Sequence, residues 1–445
     1  MARPPPKTNT PLDADPWVAR VCRHDFLRTP VVFATGHDLF SSAALDVGTS
    51  RLLRTLAGRD DPLAAPAGRP LDLLDLGCGV GVIGLSIALA RPEGSVRVVA
   101  TDRDRLAIHL TRLNALENGL ADRPERFQVP EAGFGYEPCR RDGLGPFDRI
   151  VSNIPAKAGA AGLKQLLFGA GPLLRPGGVL SFVHVTTLTE TIDALRDEFA
   201  ELHDGPTTIL ESIGKEHRAL HWRFDQGLPA HAPRHELDPW RRPDAPAVLH
   251  LKGVRPIPHV AVSDVEEFDT EHFRTPVLTR LAQLVRPVNA TARPERILLL
   301  NPCHGLLAAR LISERHPARI AVCGRDTLEL AAARRNIDAT LKRWALTGET
   351  VLEDPPLLEA TPWLPAPSDY DLIAGSLRWK EGKAAHERTL AALCNALSVE
   401  RNGRLLLSAG VGQIDAVRRL AQKVGLRHGR ELKKKGTAAI ALRRR

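Results

Sequence analysis

Residues Leu71 to Ala90 read LDLLDLGCGVGVIGLSIALA. The stretch opens on an apolar run, Leu71 to Leu74, that predicts a buried strand. Asp75 stands at the end of that strand, four glycines follow at Gly77, Gly79, Gly81 and Gly84, and an apolar helical segment comes next. Glycines in this place let the chain turn sharply and let a ligand approach bare backbone. The helix behind them aims its free N–H groups at the same point. Strand, glycine turn and helix together predict a nucleotide-type cradle at the carboxyl end of a parallel strand.

The residues around the glycines bear on which nucleotide fits. Gly79-x-Gly81-x-x-Gly84 satisfies the dinucleotide fingerprint, and Asp102 lies at a suitable distance for a ribose acid. Asp75 weighs against a pyrophosphate, which a carboxylate there would repel. It suits instead the ammonium of S-adenosyl-L-methionine, met directly or through water in a charge-assisted hydrogen bond. The next strand, Val96 to Asp102, ends in an acid placed to accept two ribose hydroxyls. The cofactor-binding residues expected are therefore Asp75, Gly77, Gly79, Gly81 and Asp102, together with Glu131, after a short strand at Phe127-Gln-Val, and Asn153. The string Asp75-Leu-Gly-Cys-Gly-Val-Gly resembles motif I of the class I methyltransferases. The lead-in at Phe40-Ser41, Asp46 and Gly48, with the leucine-rich segment after it, resembles the "small" (MTS) methyltransferase family. That resemblance implies a segment covering the bound cofactor.

Outward from this stretch the chain alternates strand and helix. A helix is expected over 104–118, a fourth strand over Phe147 to Asn153, a helix near 160–174, a fifth strand from Val179 to Val185, and a terminal hairpin centred on Gly214-Lys215. Such alternation predicts an α/β fold with a parallel sheet covered on both faces. A chain of 445 residues predicts two or three domains. Residues 1–14 are Pro-rich and expected to be disordered, 15–225 form the cofactor-binding domain, 226–263 a Pro/His/Arg-rich linker, and 264–445 a second domain. The linker histidines His231, His235, His250 and His259 lack cysteine partners and regular spacing, so they read as solvated rather than as a metal site.

The second domain repeats the first. Arg296 to Asn301 occupies the place of the first strand and Asp75. Ile320 to Asp326 answers Val98 to Asp104, Tyr370-Asp371 answers Phe147-Asp148, and Asp238-Pro-Trp240 echoes Asp15-Pro-Trp17. In this alignment Asp75 becomes Asn301, Asp102 becomes Gly324, the glycine cluster becomes Pro302 to Leu307, and Asn153-Ile-Pro-Ala becomes Ser376-Leu-Arg-Trp379. The expected architecture is thus two tandem Rossmann-like domains, the second degenerate and without cofactor.

Asn153-Ile-Pro155-Ala-Lys-Ala-Gly159 follows the fourth strand. An amine conjugated to a ring is a poor nucleophile. Hydrogen bonds from its N–H to an Asn oxygen and a backbone carbonyl enrich its lone pair and aim it at a sulfonium methyl. The stretch resembles the N-P-P-F-H-x-G phrase of the tandem-domain small-subunit rRNA guanine-N2 methyltransferases, matching at Asn153, Pro155 and Gly159. The resemblance implies catalytic roles for Asn153 and Pro155. Ile154, Ala156 and Lys157 depart from the phrase, and the intact half comes first here.

The net charge of +9 favours a polyanionic partner, with nucleic acid first, and the resemblance to the rRNA methyltransferases implies RNA, most simply ribosomal RNA. Arg378, Lys380, the run Lys433-Lys434-Lys435 and the terminal arginines are the cations expected to meet phosphates, with Trp379 between the first two. Six scattered cysteines form no C-x-x-C pair, so neither a zinc site nor a disulfide framework is indicated. A reducing cytoplasm is the expected compartment. No apolar run reaches the roughly 18 residues of a membrane span. The leading expectation is an S-adenosylmethionine-dependent methyltransferase that modifies a base amine in ribosomal RNA. The alternatives are methylation of a protein side chain or small molecule, and a non-catalytic RNA-binding or assembly protein that keeps a cofactor pocket.

Overall fold

The chain divides between Trp240 and Arg241 into two units. The first begins with an antiparallel pair, β1 (Val18–Phe26) and β2 (Thr29–Gly36), and helix α1 (Val47–Leu56). Strands and helices then alternate: β3 (Leu71–Leu76), α2 (Val82–Ala90), β4 (Val96–Thr101), α3 (Arg105–Glu117), β5 (Phe127–Gln128), α4 (Glu137–Arg141), β6 (Phe147–Asn153), α5 (Gly159–Phe168), β7 (Leu174–Val185) and α6 (Thr189–Leu202). The hairpin β8 (Thr207–Ile213) and β9 (His217–Phe224) closes the unit's sheet. The computed structural model describes residues 12–39, 44–58, 62–202, 205–225, 237–242, 244–262, 265, 274–284, 295–378, 380–434 and 436–445.

The sheet runs in the order β5-β4-β3-β6-β7-β9-β8. Strands β3 to β7 are parallel, whereas β9 is antiparallel to β7. The order reverses between β3 and β6, and open α/β sheets bind ligands in the crevice at such a reversal. All six residues of β3 are buried, because a central parallel strand is covered on both faces. Helix α2 is apolar all round, and seven of its nine residues are buried. It is a core helix, with no solvent face to make it amphipathic.

Several boundaries differ from those read in the sequence. Strand β7 starts at Leu174, so Arg175-Pro-Gly-Gly lies inside it, with an irregularity in its pairing to β6. The helix before it ends at Phe168. Leu12–Ala14, expected to be disordered, form a helical turn with Leu12 buried. The pair β1–β2 had no periodic signal that announced it. The linker expected over 226–263 is not one segment. Trp240 packs edge-on against Phe134 in the first unit, and Arg241 onward belongs to the second. His231 and His235 lie outside the described residues. His259 is buried beside His304 and Asn336 rather than solvated.

The second unit has its own short antiparallel pair, β10 (Val248–Leu249) and β11 (Ile257–Pro258), then helix α7 (Arg274–Leu284). There follow β12 (Arg296–Leu300), α8 (Leu306–Arg315), β13 (Arg319–Cys323), α9 (Thr327–Arg343) and β14 (Val351–Glu353). An extra pair, β15 (Leu357–Leu358) and β16 (Thr361–Pro365), precedes β17 (Leu372–Ser376), α10 (Lys383–Ala396), β18 (Arg404–Gly410), α11 (Ile414–Lys423), β19 (Leu426–Lys434) and β20 (Thr437–Arg444). The main sheet, β14-β13-β12-β17-β18-β20-β19, repeats the strand order of the first.

The pairing registers correct the alignment of the two halves. Asp75 lies opposite Ala100, and Leu299 lies opposite Val322. The backbone agrees: Gly77, Gly79 and Gly81 have φ of 67°, 58° and 81°, and Asn301, Cys303 and Gly305 have 50°, 51° and 84°. Asn301 therefore stands where Gly77 stands, and the counterpart of Asp75 is Leu299.

Candidate active site

The loop after β3 is held from three sides. Gly81 N–H donates to the Cys78 carbonyl at 2.8 Å, and Cys78 N–H donates to the Thr101 carbonyl at 2.9 Å. The Thr111 hydroxyl donates to the Gly79 carbonyl at 3.0 Å. Asn114, buried on α3, donates to the carbonyls of Val80 and Ala34 and accepts from Ala34 N–H at 2.7 Å. One amide thus ties the glycine loop to β2. No motif in the sequence assigns Asn114 this function. A polar residue on the buried face of a helix was the available signal.

Gly77 and Gly79 both have positive φ, and a Cβ added at either would meet nothing within 4 Å. Their backbone faces open space, as a ligand cradle requires. Gly84 is different: a Cβ there would lie 3.0 Å from the Asp75 carboxylate. It is a packing glycine inside α2 rather than part of the cradle.

Asp75 is fully buried beneath α2. Its Oδ2 accepts the Gly84 N–H at 2.8 Å, and its buried Oδ1 has no hydrogen-bond partner among the described residues. Burial, opposed by that bond, pushes its pKa up to about 7. Asp75 first serves the helix it caps from below, and only Oδ1 remains for a ligand. Asp102, just past β4, is half-buried and accepts Gly79 N–H at 2.9 Å and Asp104 N–H at 2.8 Å. Desolvation raises its pKa to about 6. It therefore both orders the loop and keeps lone pairs for further donors.

Asn153 ends β6, beside β3 at the strand-order reversal. Its Nδ2 donates to Asp46 Oδ2 at 2.9 Å and to Thr49 Oγ1 at 3.0 Å. Asp46 is also the N-cap of α1, accepting Thr49 N–H at 2.9 Å. Gly48 is required because a Cβ would lie 2.8 Å from both Asp46 Oδ2 and the His217 ring. Pro155 is exposed and its carbonyl accepts Ala158 N–H, forming the turn after the strand. Phe40 and Ser41 lie outside the described residues. Glu131, beyond β5, has its side chain 67% exposed and paired to Arg112 at 2.6 Å, two residues before Gly133, whose N–H donates to the Asp102 carbonyl at 3.0 Å. Asp75, the three loop glycines, Asp102 and Asn153 converge on the carboxyl ends of β3, β4 and β6. Among the described residues no group of His, Cys, Asp and Glu could hold a metal, and no helix is long and apolar enough to cross a membrane.

A glycine loop after the first parallel strand, an acid after the second and an amide after the fourth define the class I methyltransferase-like α/β fold. Residues 30–205, within the first unit, match the family model of the Methyltransferase small domain. A ribosomal RNA small subunit methyltransferase C of Mannheimia succiniciproducens is 34% identical over 149 residues, 33% of this chain and 38% of that protein. A ribosomal RNA large subunit methyltransferase G of Aeromonas salmonicida is 34% identical over 119 residues, 26% of this chain and 27% of that protein. The chain thus spans less than two fifths of these relatives' length. A 16S rRNA N2 methyltransferase of T. thermophilus, solved with AdoMet and guanosine, superposes with a TM-score of 0.62 at 16% identity. The superposition covers 96% of this chain and 99% of that one, so the two share the fold.

Proposed function

We propose that the chain is an S-adenosyl-L-methionine-dependent methyltransferase of the cytoplasm that methylates a base amine in ribosomal RNA. The observation that carries this reading is Asn153: both protons of its amide are engaged, and its oxygen is left as the acceptor beside an open glycine cradle. The residues fit the cofactor. The backbone of Gly77 and Gly79 leaves room for it, the orphaned Oδ1 of Asp75 awaits a donor or cation, and Asp102 retains acceptor capacity. When bound, the cofactor supplies an electrophilic sulfonium methyl. Asn153 Oδ1 accepts an N–H of the target amine, enriching its lone pair and orienting it, and positioning carries much of the rate. Pro155 fixes the turn that presents Asn153.

The second unit, in this reading, holds no cofactor. Leu299 replaces the buried acid, Gly324 replaces Asp102, and Cys303 N–H is taken instead by Glu329, which also pairs with Arg378 at 3.1 Å. Its basic edge, with Arg427, Arg430, Lys433 and Lys434 exposed on β19, supports a role in gripping RNA phosphates. Trp379 and Lys435 lie outside the described residues. Ala156, where the resembling phrase has its stacking aromatic, favours a second reading, a protein side-chain amine as acceptor. Nucleoside mass spectrometry of ribosomal RNA from cells with and without the gene tests the proposal. Loss of one methylated nucleoside is expected, and an unchanged profile defeats it.

A further inference from the structure

The Asn153 amide is held by residues 107 and 104 positions earlier in the chain, and nothing in the catalytic phrase itself requires them. We infer that Asp46, with Thr49, is a positioning residue that fixes which way the Asn153 amide faces and so presents its oxygen to the target amine. This rests on the methyltransferase reading of the site.

An Asn amide has two ends of nearly equal size and opposite chemistry. A carboxylate can only accept, so the end facing Asp46 must be Nδ2. Asp46 Oδ2 takes one of its protons and Thr49 Oγ1 the other. Oδ1 is then forced to the opposite side. The reversed amide would set Oδ1 against a carboxylate oxygen at about 2.9 Å, two acceptors without a proton between them. The carboxylate also polarises the amide, which strengthens Oδ1 as an acceptor.

The same Oδ2 caps α1 through Thr49 N–H, so helix start and amide orientation depend on one atom. Gly48 lets the two come together, because any side chain there would strike both Asp46 and His217. The Asp46-x-Gly48-Thr49 phrase therefore has a role at the reacting end of the site in addition to any role in covering the cofactor.

The test must separate capping from positioning. Serine caps a helix about as well as aspartate but is too short to reach Asn153. Asp46→Ser in the full chain should keep its melting temperature and its calorimetric affinity for S-adenosylmethionine within about two-fold, while kcat for methyl transfer falls about 10- to 100-fold. The probe is ribosomal subunits from a strain lacking the gene, with tritiated cofactor. Asp46→Asn, which keeps an oxygen in place, should recover most of that loss. Independently of activity, selective Asn labelling should show the Asn153 side-chain NH2 protons protected from exchange in the parent and exposed in Asp46→Ser. Parent-like kcat in Asp46→Ser overturns the inference, as does a fall in cofactor affinity or stability that accounts for the lost rate. If the parent itself transfers no methyl group, the functional reading fails. The NMR comparison still decides the clamp, and unchanged Asn153 protection in Asp46→Ser overturns it.

Discussion

Asp75 and Asp102 sit a few residues from the same loop with raised pKa values and different duties. Each has a folded-state pKa above the usual carboxylate value near 4, about 7 for Asp75 and about 6 for Asp102. The folded protein without cofactor therefore binds protons that the unfolded chain has lost. The stability this confers is complete below about pH 4 and is lost as pH rises to about 7. Donors and cations brought by the cofactor favour the ionised carboxylates. Binding should release protons near pH 6.5, and affinity should weaken as pH falls from 7 to 5.5. Calorimetry in two buffers of different ionisation enthalpy measures this, and proton uptake would contradict it. Asp102→Ala should weaken the cofactor by roughly 1.5–3 kcal/mol, the value of hydrogen bonds to a charged group. Unchanged affinity in a folded variant would remove Asp102 from the site.

At the scale of elements, the glycine loop depends on α3 as much as on its own glycines. Asn114 answers three backbone groups, in β2 and in the loop, and Asn336 repeats the pattern with Val260 and the His304 carbonyl. Replacing Asn114 with Ala leaves buried backbone groups unsatisfied. A loss of about 1–3 kcal/mol in urea unfolding is expected, together with weaker cofactor binding because the loop is released. Asn336→Ala should cost similar stability and leave cofactor affinity unchanged. Equal effects of the two variants on the cofactor would refute the assignment of the site to the first unit.

At the scale of the whole molecule, one fold occurs twice and one cradle is expected to work. Titration of the full chain should give one equivalent of S-adenosylmethionine bound, and a stoichiometry of two would show that the second loop also binds. The cationic edge of β19 belongs to the second unit. Lys433 is partly engaged by Glu431 at 3.1 Å, whereas Lys434 is exposed. Changing Lys433, Lys434 and Lys435 together to Ala should reduce the salt slope of RNA binding by about 1–2 units, with no change in cofactor affinity. Parent-like RNA binding at every salt concentration would mark the run as a solvated strand end.

Local patterns in the sequence were enough for the alternation of strands and helices, the glycine loop, Asp102 after the second strand, Asn153 after the fourth, and the repeat of the whole plan. Each of these is a property of a short stretch: an apolar run, a glycine needing positive φ, a polar residue at a strand end. What tertiary structure decided depends on chain segments far apart in sequence. The register between β12 and β13 set Leu299, not Asn301, opposite the place of Asp75, because strand pairing fixes which residues are level and similarity of letters does not. The approach of α2 to β3 directed Asp75 Oδ2 to a backbone N–H. The exposed edge beyond β5 left Glu131 to Arg112. The closing of α1 over the end of β6 joined Asp46 to Asn153, a bond that exists only once the chain between them has folded.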